Sequence, residues 1–220
     1  MTHKKLVYGV GINDADYLLH VREIAVDNNG KQIRKLVWRC PIYTAWTNML
    51  RRCYDAAYQE KFPTYKEVSV CSEWFVFSKF REWMLKQNFD GKVLDKDILS
   101  CNDLKVYSPS TCCFISNRVN MFLTEREVCR GLFPLGVHFD KTKGKFTAAC
   151  SDPFTKKRVR LGRFDCPKEA HKAWAVYKLG LAIKLSLEIE DKQASSALIS
   201  IYQNSFKEAE VNIIGSLNNE

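Results

Sequence analysis

Between Gly136 and Arg163, three short runs, GVHFD, KFTAAC and RVRLGRF, are separated by the turn-forming stretches KTKG and SDPFTK. Runs of this length with turn residues between them read as the strands of one small antiparallel sheet. From Pro167 the apolar period lengthens: Ala170, Ala173, Trp174, Tyr177 and Leu181 recur at helical spacing, with Cys166 or Asp165 near the cap. Three short strands need a partner to bury an apolar face, and this helix supplies one. The segment also carries eight basic residues, Lys141, Lys143, Lys145, Lys156, Lys157, Arg158, Arg160 and Arg163, against two acidic ones, Asp140 and Asp152. Alternate residues of a strand share a face, so Arg158 and Arg160 project together while Val159 turns to the other side. The expectation is a sheet with one face under a helix and one basic face left open, wide enough for a duplex groove.

The rest of the chain mixes both periods. LVYGVG, YLLHVREIAV and IRKLVW read as strands, with DNNGK as the turn before the last. After Pro41, Tyr43, Trp46, Met49, Leu50, Cys53 and Tyr54 place an apolar face on a helix whose later half carries Arg51 and Arg52. The loop FPTYKEV contains the breaker Pro63. A second helix is expected from Ser72, an N-cap with Glu73 behind it, and its Trp74, Phe77, Phe80, Trp83 and Met84 read as core. KVLDKDI then reads as a strand, SCND as a turn, LKVYS as a strand, and the stretch through TERE closes as a helix. Gly131–Pro134 reads as a linker, and residues 193–211 form a weaker amphipathic segment that could pack on the body or on another copy; IIGSLNNE is expected to fray.

Composition narrows the partner. Lys and Arg total 34 against 25 Asp and Glu, a net +9, which favours a polyanion, nucleic acid before a membrane surface. No run approaches the roughly 18 apolar residues of a membrane span, and MTHKKLVYGVGIND lacks the long apolar stretch of a secretory signal. A cytoplasmic location, in a bacterium or a phage-infected host cell, is therefore expected. The nine cysteines are odd in number and scattered, so they read as mostly reduced and buried. Structural zinc is not expected, because no C-x₂₋₄-C pair occurs; a site assembled from distant residues such as Cys40, Cys71 and Cys112 stays open.

The residues Gly136–Ala182 resemble the APETALA-type domain of plant ethylene-response factors, which also occurs in phage and mobile-element proteins. The likeness rests on the opening Gly136-Val137, the aromatic-x-Ala at Phe146–Ala148, the Leu161-Gly162-x-Phe164 segment, and the Glu169-Ala170, Ala173, Tyr177 spacing of the helix. It implies that the three strands read a major groove. Arg158, Arg160, Lys145 and Phe146 would approach bases and backbone, with Arg163 beside them, while Lys141, Lys143, Lys156 and Lys157 would meet phosphates. Trp174 departs from the family, which usually has alanine there.

The central region, CPIYTAWTNMLRRCY through VCSEWFVFSKFREWM to LDKDIL, VYSPSTCCFIS and Asn120, resembles phage and prophage proteins regarded as HNH-like nucleases. In that family two strands and a helix surround one divalent metal, which stabilises charge at the scissile phosphate while a histidine takes a proton from water. The resemblance places Asp95 at the acidic metal position and Asn120 at the helix ligand position. Lys96 stands where the general-base histidine should be, and Cys112 or Cys113 replaces its orienting asparagine. Asp97 is two residues from Asp95, so on a strand both carboxylates would share a side and could hold Mg2+ or Mn2+ with Asn120, while Lys96 would point away toward a phosphate.

The expected fold is therefore α+β: an HNH-like, ββα-metal body with helices over 1–130, an APETALA-type DNA-binding domain over 131–187 with a three-stranded antiparallel sheet and helix, and a helical tail over 188–220. The leading expectation is a metal-dependent, site-specific endonuclease or nickase of a phage or mobile genetic element, acting on double-stranded DNA as a monomer or homodimer, with Asp95, Lys96, Asp97 and Asn120 as its catalytic set. The rival is a catalytically inactive HNH-like DNA-binding regulator or interference factor. A third reading is an interaction protein whose charge is incidental.

Overall fold

The computed structural model describes residues 5–100, 105–124 and 133–217, with side chains described as far as residue 210. The chain is mixed α+β and divides into two compact units, Met1–Ile115 and Ser116–Glu220.

The first unit is built on α1 (Pro41–Tyr54), where Pro41 occupies the first turn and Arg51 and Arg52 the last. Its buried stripe of Ile42, Trp46, Met49, Leu50 and Cys53 meets Trp74, Phe77, Phe80 and Met84 in one core. Trp46 donates its indole N–H to the Trp74 carbonyl at 2.7 Å, so the largest buried side chain leaves no polar atom orphaned. The N-terminal segment lies against this helix: a Cβ on Gly11 would come within 2.5 Å of Leu50 and 2.9 Å of Trp46. A short helix α2 (Ala56–Lys61), capped by the Asp55 side chain, follows α1; no apolar periodicity announced it.

Three local readings change in this unit. LVYGVG is a turn, with Tyr8 and Gly9 at positive φ and Val7 bridged to Gly11, so the first strand starts only at His20. The second helix is broken: a 3-10 turn, Ser72–Phe75, precedes α3 (Phe77–Met84), because Val76 is drawn into an extended bridge with Ile12. Ile12 donates to the Phe75 carbonyl at 2.7 Å and accepts from the Phe77 amide at 3.0 Å, which competes with helical bonding there. KVLDKDI is extended only over β4 (Lys92–Asp95); Lys96–Leu99 bend away.

The sheets of this unit are small. β1 (His20–Val26) and β2 (Gln32–Arg39) form an antiparallel hairpin across the DNNGK turn. β3 (Ser69–Val70) pairs in parallel with β5 (Val106–Tyr107), so LKVYS contributes two strand residues and does not pair with β4. β4 instead pairs with β6 (Cys113–Ser116). Most of the SCND turn lies outside the described residues.

The second unit begins with α4 (Asn117–Leu123), capped by the Ser116 hydroxyl on the Val119 amide at 3.2 Å. β7 (Val137–Asp140), β8 (Lys145–Ser151) and β9 (Arg158–Phe164) form one antiparallel sheet in that order. α5 (Pro167–Ser186) and α6 (Lys192–Leu217) follow. Within α5, Ala170 and Trp174 are buried as expected, but so are Ala175, Lys178, Ala182 and Leu185, because α6 covers a second face with Ala194, Leu198, Tyr202 and Ala209. The 193–211 segment thus packs on α5, and IIGSL continues the helix. Trp174 fits because it crosses Gly136: a Cβ there would lie 2.0 Å from the indole. Lys178 is buried, donating to the Phe122 carbonyl at 3.2 Å with its ammonium 3.7 Å from the Phe122 ring centroid. That carbonyl also accepts from Tyr202 at 3.1 Å, so α4, which the sequence grouped with the central body, shares its buried contacts with α5 and α6. Gly131 and Leu132 of the expected linker lie outside the described residues. Among the described residues no helix is long and apolar enough to cross a membrane.

Candidate nucleic-acid interface and the turn after β4

Paired residues of an antiparallel sheet point to the same side. Arg158 pairs with Ser151, Arg160 with Ala149, and Arg163 with Thr147. Simple alternation would send Arg163 to the side opposite Arg158 and Arg160. A bulge prevents this: Ala149 is opposite Arg160 and Ala148 opposite Gly162, leaving Leu161 as the extra residue. Gly162 carries the distortion at φ 147°, where a Cβ would press on the Phe164 ring at 3.0 Å. All three arginines are thereby brought to one face, and all three are exposed.

The same register adds His138, opposite Thr147, to this face, and places Asp140 opposite Lys145. Alternation alone did not single out His138; the strand pairing does. A shallow depression of about 540 Å³ is lined by His138, Ala149, Arg158 and Arg160. Lys141 and Lys143 stand exposed in the turn at one end of β8, and Lys156 and Lys157 in the turn at the other. With a rise of about 3.4 Å per residue, the lysine pairs bracket the arginines over roughly 24 Å.

The acids near this surface are already engaged. Asp140 accepts from the Thr142 hydroxyl at 2.6 Å and the Thr142 amide at 3.1 Å; the hydroxyl bond foremost, with Arg163 contributing, holds its carboxyl below the ordinary range. Asp165 takes the Lys145 ammonium, so Lys145 is ion-paired and only half exposed. Asp152 braces the β8–β9 turn through the Phe154 and Thr155 amides, at 2.8 Å and 3.2 Å.

Phe146 is not brought to the arginines. It pairs with Phe139 and Phe164 on the opposite face and meets Phe133 edge-on at 5.1 Å, half-buried. That face lies toward α5, and the residue works there as packing.

The turn after β4 is organised differently. Asp95 is buried at 6 % exposure, and its Oδ1 accepts from the amides of Asp97 and Ile98, both at 2.9 Å. This is the local bracing that aspartate gives a turn, and it ends the strand. Burial pushes the Asp95 carboxyl above its ordinary value, with the Ile98 amide opposing. Lys96, at 8 % exposure, does not point to solvent: its ammonium pairs with Asp97 and lies 5.9 Å from the Tyr107 ring centroid. The Asp97 side chain is 71 % exposed. Beside Tyr107, Arg52 donates to the phenol oxygen at 3.3 Å and lies 5.9 Å from the Tyr65 ring centroid. Burial pushes the Cys53 and Cys112 thiols up to about 12, so neither is a thiolate at neutral pH.

The shared-side geometry expected for Asp95 and Asp97 therefore does not form, because the strand ends at Asp95. One carboxylate is buried with one of its oxygens bonded to two amides, and the other is exposed and paired with Lys96. Asn120 belongs to the second unit, half-buried on α4, where its backbone carbonyl accepts from the Thr124 amide and hydroxyl. Among the described residues no group of three or more His, Cys, Asp and Glu side chains is placed to hold a metal ion. Comparison with protein-family models, with curated proteins and with solved structures found no match for this chain.

Proposed function

We propose that the chain is a double-stranded DNA-binding protein of the kind carried by phages and mobile elements, and that the β7–β9 sheet makes its principal contact. The reading rests on one observation: the bulge at Leu161-Gly162 gathers Arg158, Arg160 and Arg163 on a single exposed face. Arginine offers a planar fork of donors to guanine edges or phosphates, and the bracketing lysines add counterion release. In this reading the APETALA-type likeness describes the sheet-plus-helix part, and the protein acts by occupying a site.

A second reading, endonuclease, is favoured by chain order. β4 and β6 pair, α4 follows at once, and Asp95 stands at the end of the first of those strands, the order of an HNH-like ββα body. For that activity Asp95, Lys96 and Asp97 would have to rearrange around an ion.

One set of measurements tests both. Duplexes selected from a random library are titrated with the purified protein over a salt series, and supercoiled plasmid is incubated with magnesium, manganese or chelator. Binding is expected, with Arg158→Ala together with Arg160→Ala weakening it by at least about tenfold. Unchanged affinity in that variant would remove the sheet-face assignment. Metal-dependent nicking that is lost in Asp95→Ala would replace the first reading with the second.

A further inference from the structure

Among the described residues, none forms a covering layer over the β1–β2 hairpin. Every residue of β2 is exposed, and so is every residue of β1 except Ala25, which is half-buried. Ile24 is 73 % exposed and Val26 64 %. A lone two-stranded ribbon is marginal in water, so one that keeps both faces open is better explained by what it meets than by what it buries. Its base is fixed: Cys40 donates to the Leu19 carbonyl at 2.8 Å, and Arg39 donates to the Thr47 hydroxyl at 2.9 Å on α1.

The register separates the charges. Arg22 pairs with Leu36, Ile24 with Arg34, Val26 with Gln32 and His20 with Arg39, so one face carries arginines among apolar side chains and no carboxylate. Glu23 and Lys35 oppose each other on the other face, with Val21, Trp38, Ala25 and Ile33. As in β9, a bulge sets the outcome: Val37 is the extra residue, and without it Leu36 and Arg34 would turn to the side of Trp38. Among the described residues neither Arg22 nor Arg34 makes an ion pair.

We infer that this ribbon is a second DNA contact, laying its Arg22 and Arg34 face against a duplex. The inference rests on the DNA-binding reading above. A two-stranded ribbon fits a major groove about 12 Å wide, its arginines meet phosphates, and Ile24 and Leu36 are placed for apolar contact such as thymine methyls offer.

The test uses the full chain and duplexes that the wild-type protein selects from a random library. Arg22→Gln together with Arg34→Gln is compared with Lys35→Gln on the opposite face and with Arg158→Ala/Arg160→Ala, after circular dichroism shows each variant folded. The expected result is a dependence of log affinity on log salt that is shallower by about 2 for the Arg22/Arg34 variant. Its hydroxyl-radical footprint should also be shorter, with base preference unchanged over the base pairs that remain protected. Lys35→Gln should leave the wild-type slope. An unchanged slope and footprint for Arg22/Arg34, with affinity still lost in Arg158/Arg160, overturns the ribbon and leaves the sheet reading intact. An equal change from Lys35→Gln overturns the face assignment. Loss of self-association in Trp38→Ala, with DNA binding untouched in every hairpin variant, means that a second copy covers the ribbon instead. No DNA binding by the wild-type chain overturns both readings.

Discussion

The β9 strand and the turn after β4 both concentrate charge in a few residues, and they use it in opposite ways. In β9 three arginines are held apart by the pleat, turned outward and gathered on one side by a bulge. After β4, Asp95, Lys96 and Asp97 satisfy one another and the local backbone, with two of the three buried. Where the fold leaves charged side chains exposed, their hydrogen-bonding groups stay available to a partner; where the local backbone takes up a carboxylate, as at Asp95, that side chain braces a turn.

The sharpest way to break this contrast is Gly162→Ala. The new Cβ meets the Phe164 ring at 3.0 Å and φ 147° disfavours any side chain, so the bulge should be lost or strained. The expected outcome is a loss of about 1–3 kcal/mol in DNA binding, as Arg163 leaves the shared face, with about 1–2 kcal/mol of stability lost in thermal melts. Full affinity in a folded variant would separate Arg163 from the interface.

Next in size is Asp95. Asp95→Ala deprives two amides of their acceptor and should cost about 1–2 kcal/mol in urea denaturation followed by tryptophan fluorescence, which reports mainly on the first unit through Trp38, Trp46, Trp74 and Trp83. Asp95→Asn keeps the acceptor and removes the buried charge. Because burial raises the folded carboxyl above its ordinary 3.8, the native state holds the proton more tightly than the unfolded chain. The stability due to that proton is fully present below the unfolded value and is lost as pH rises through the folded one. The asparagine variant should therefore equal or exceed wild type at neutral pH, and the gap should move in favour of wild type as the medium is acidified. A destabilised asparagine variant at neutral pH would mean that the ionised carboxylate has a favourable role, bringing the two regions closer in kind.

The smallest effect is expected at Lys156, which adopts φ 57° in the β8–β9 turn. Lys156→Gly should leave the turn equally or slightly more stable, by up to about 1 kcal/mol, while the salt dependence of DNA binding becomes shallower by about 0.9. A loss of affinity without a change in slope would assign Lys156 a conformational role in place of a phosphate contact.

What the residues disclosed in advance follows the same physics. The stripe from Tyr43 to Tyr54, the aromatic core of the second helix and the DNNGK hairpin were legible because period and turn chemistry act locally. The joint projection of Arg158 and Arg160 was legible too. Arg163 was not, since counting by twos cannot register an inserted residue, although Gly162 marked where one could sit. The LDKDIL reading assumed alternation past Asp95, whereas an aspartate at a strand end can accept from the two following amides and stop the strand. The second buried face of α5 depended on α6, a partner that no local pattern names.

The junction at Phe122 bears on how the second unit comes into being. One backbone carbonyl receives Lys178 from 56 positions further along the chain and Tyr202 from 80 positions further. On a ribosome these partners emerge in sequence, so the lysine's charge lacks its enclosure until the last helix has left the exit tunnel. Closing loops of that length is slow, and the ordering of this unit should be a late, all-or-none event rather than a progressive one. A nascent chain stalled before Tyr202 would present an unfinished interior to chaperones even though every strand of the arginine-bearing sheet had already been made.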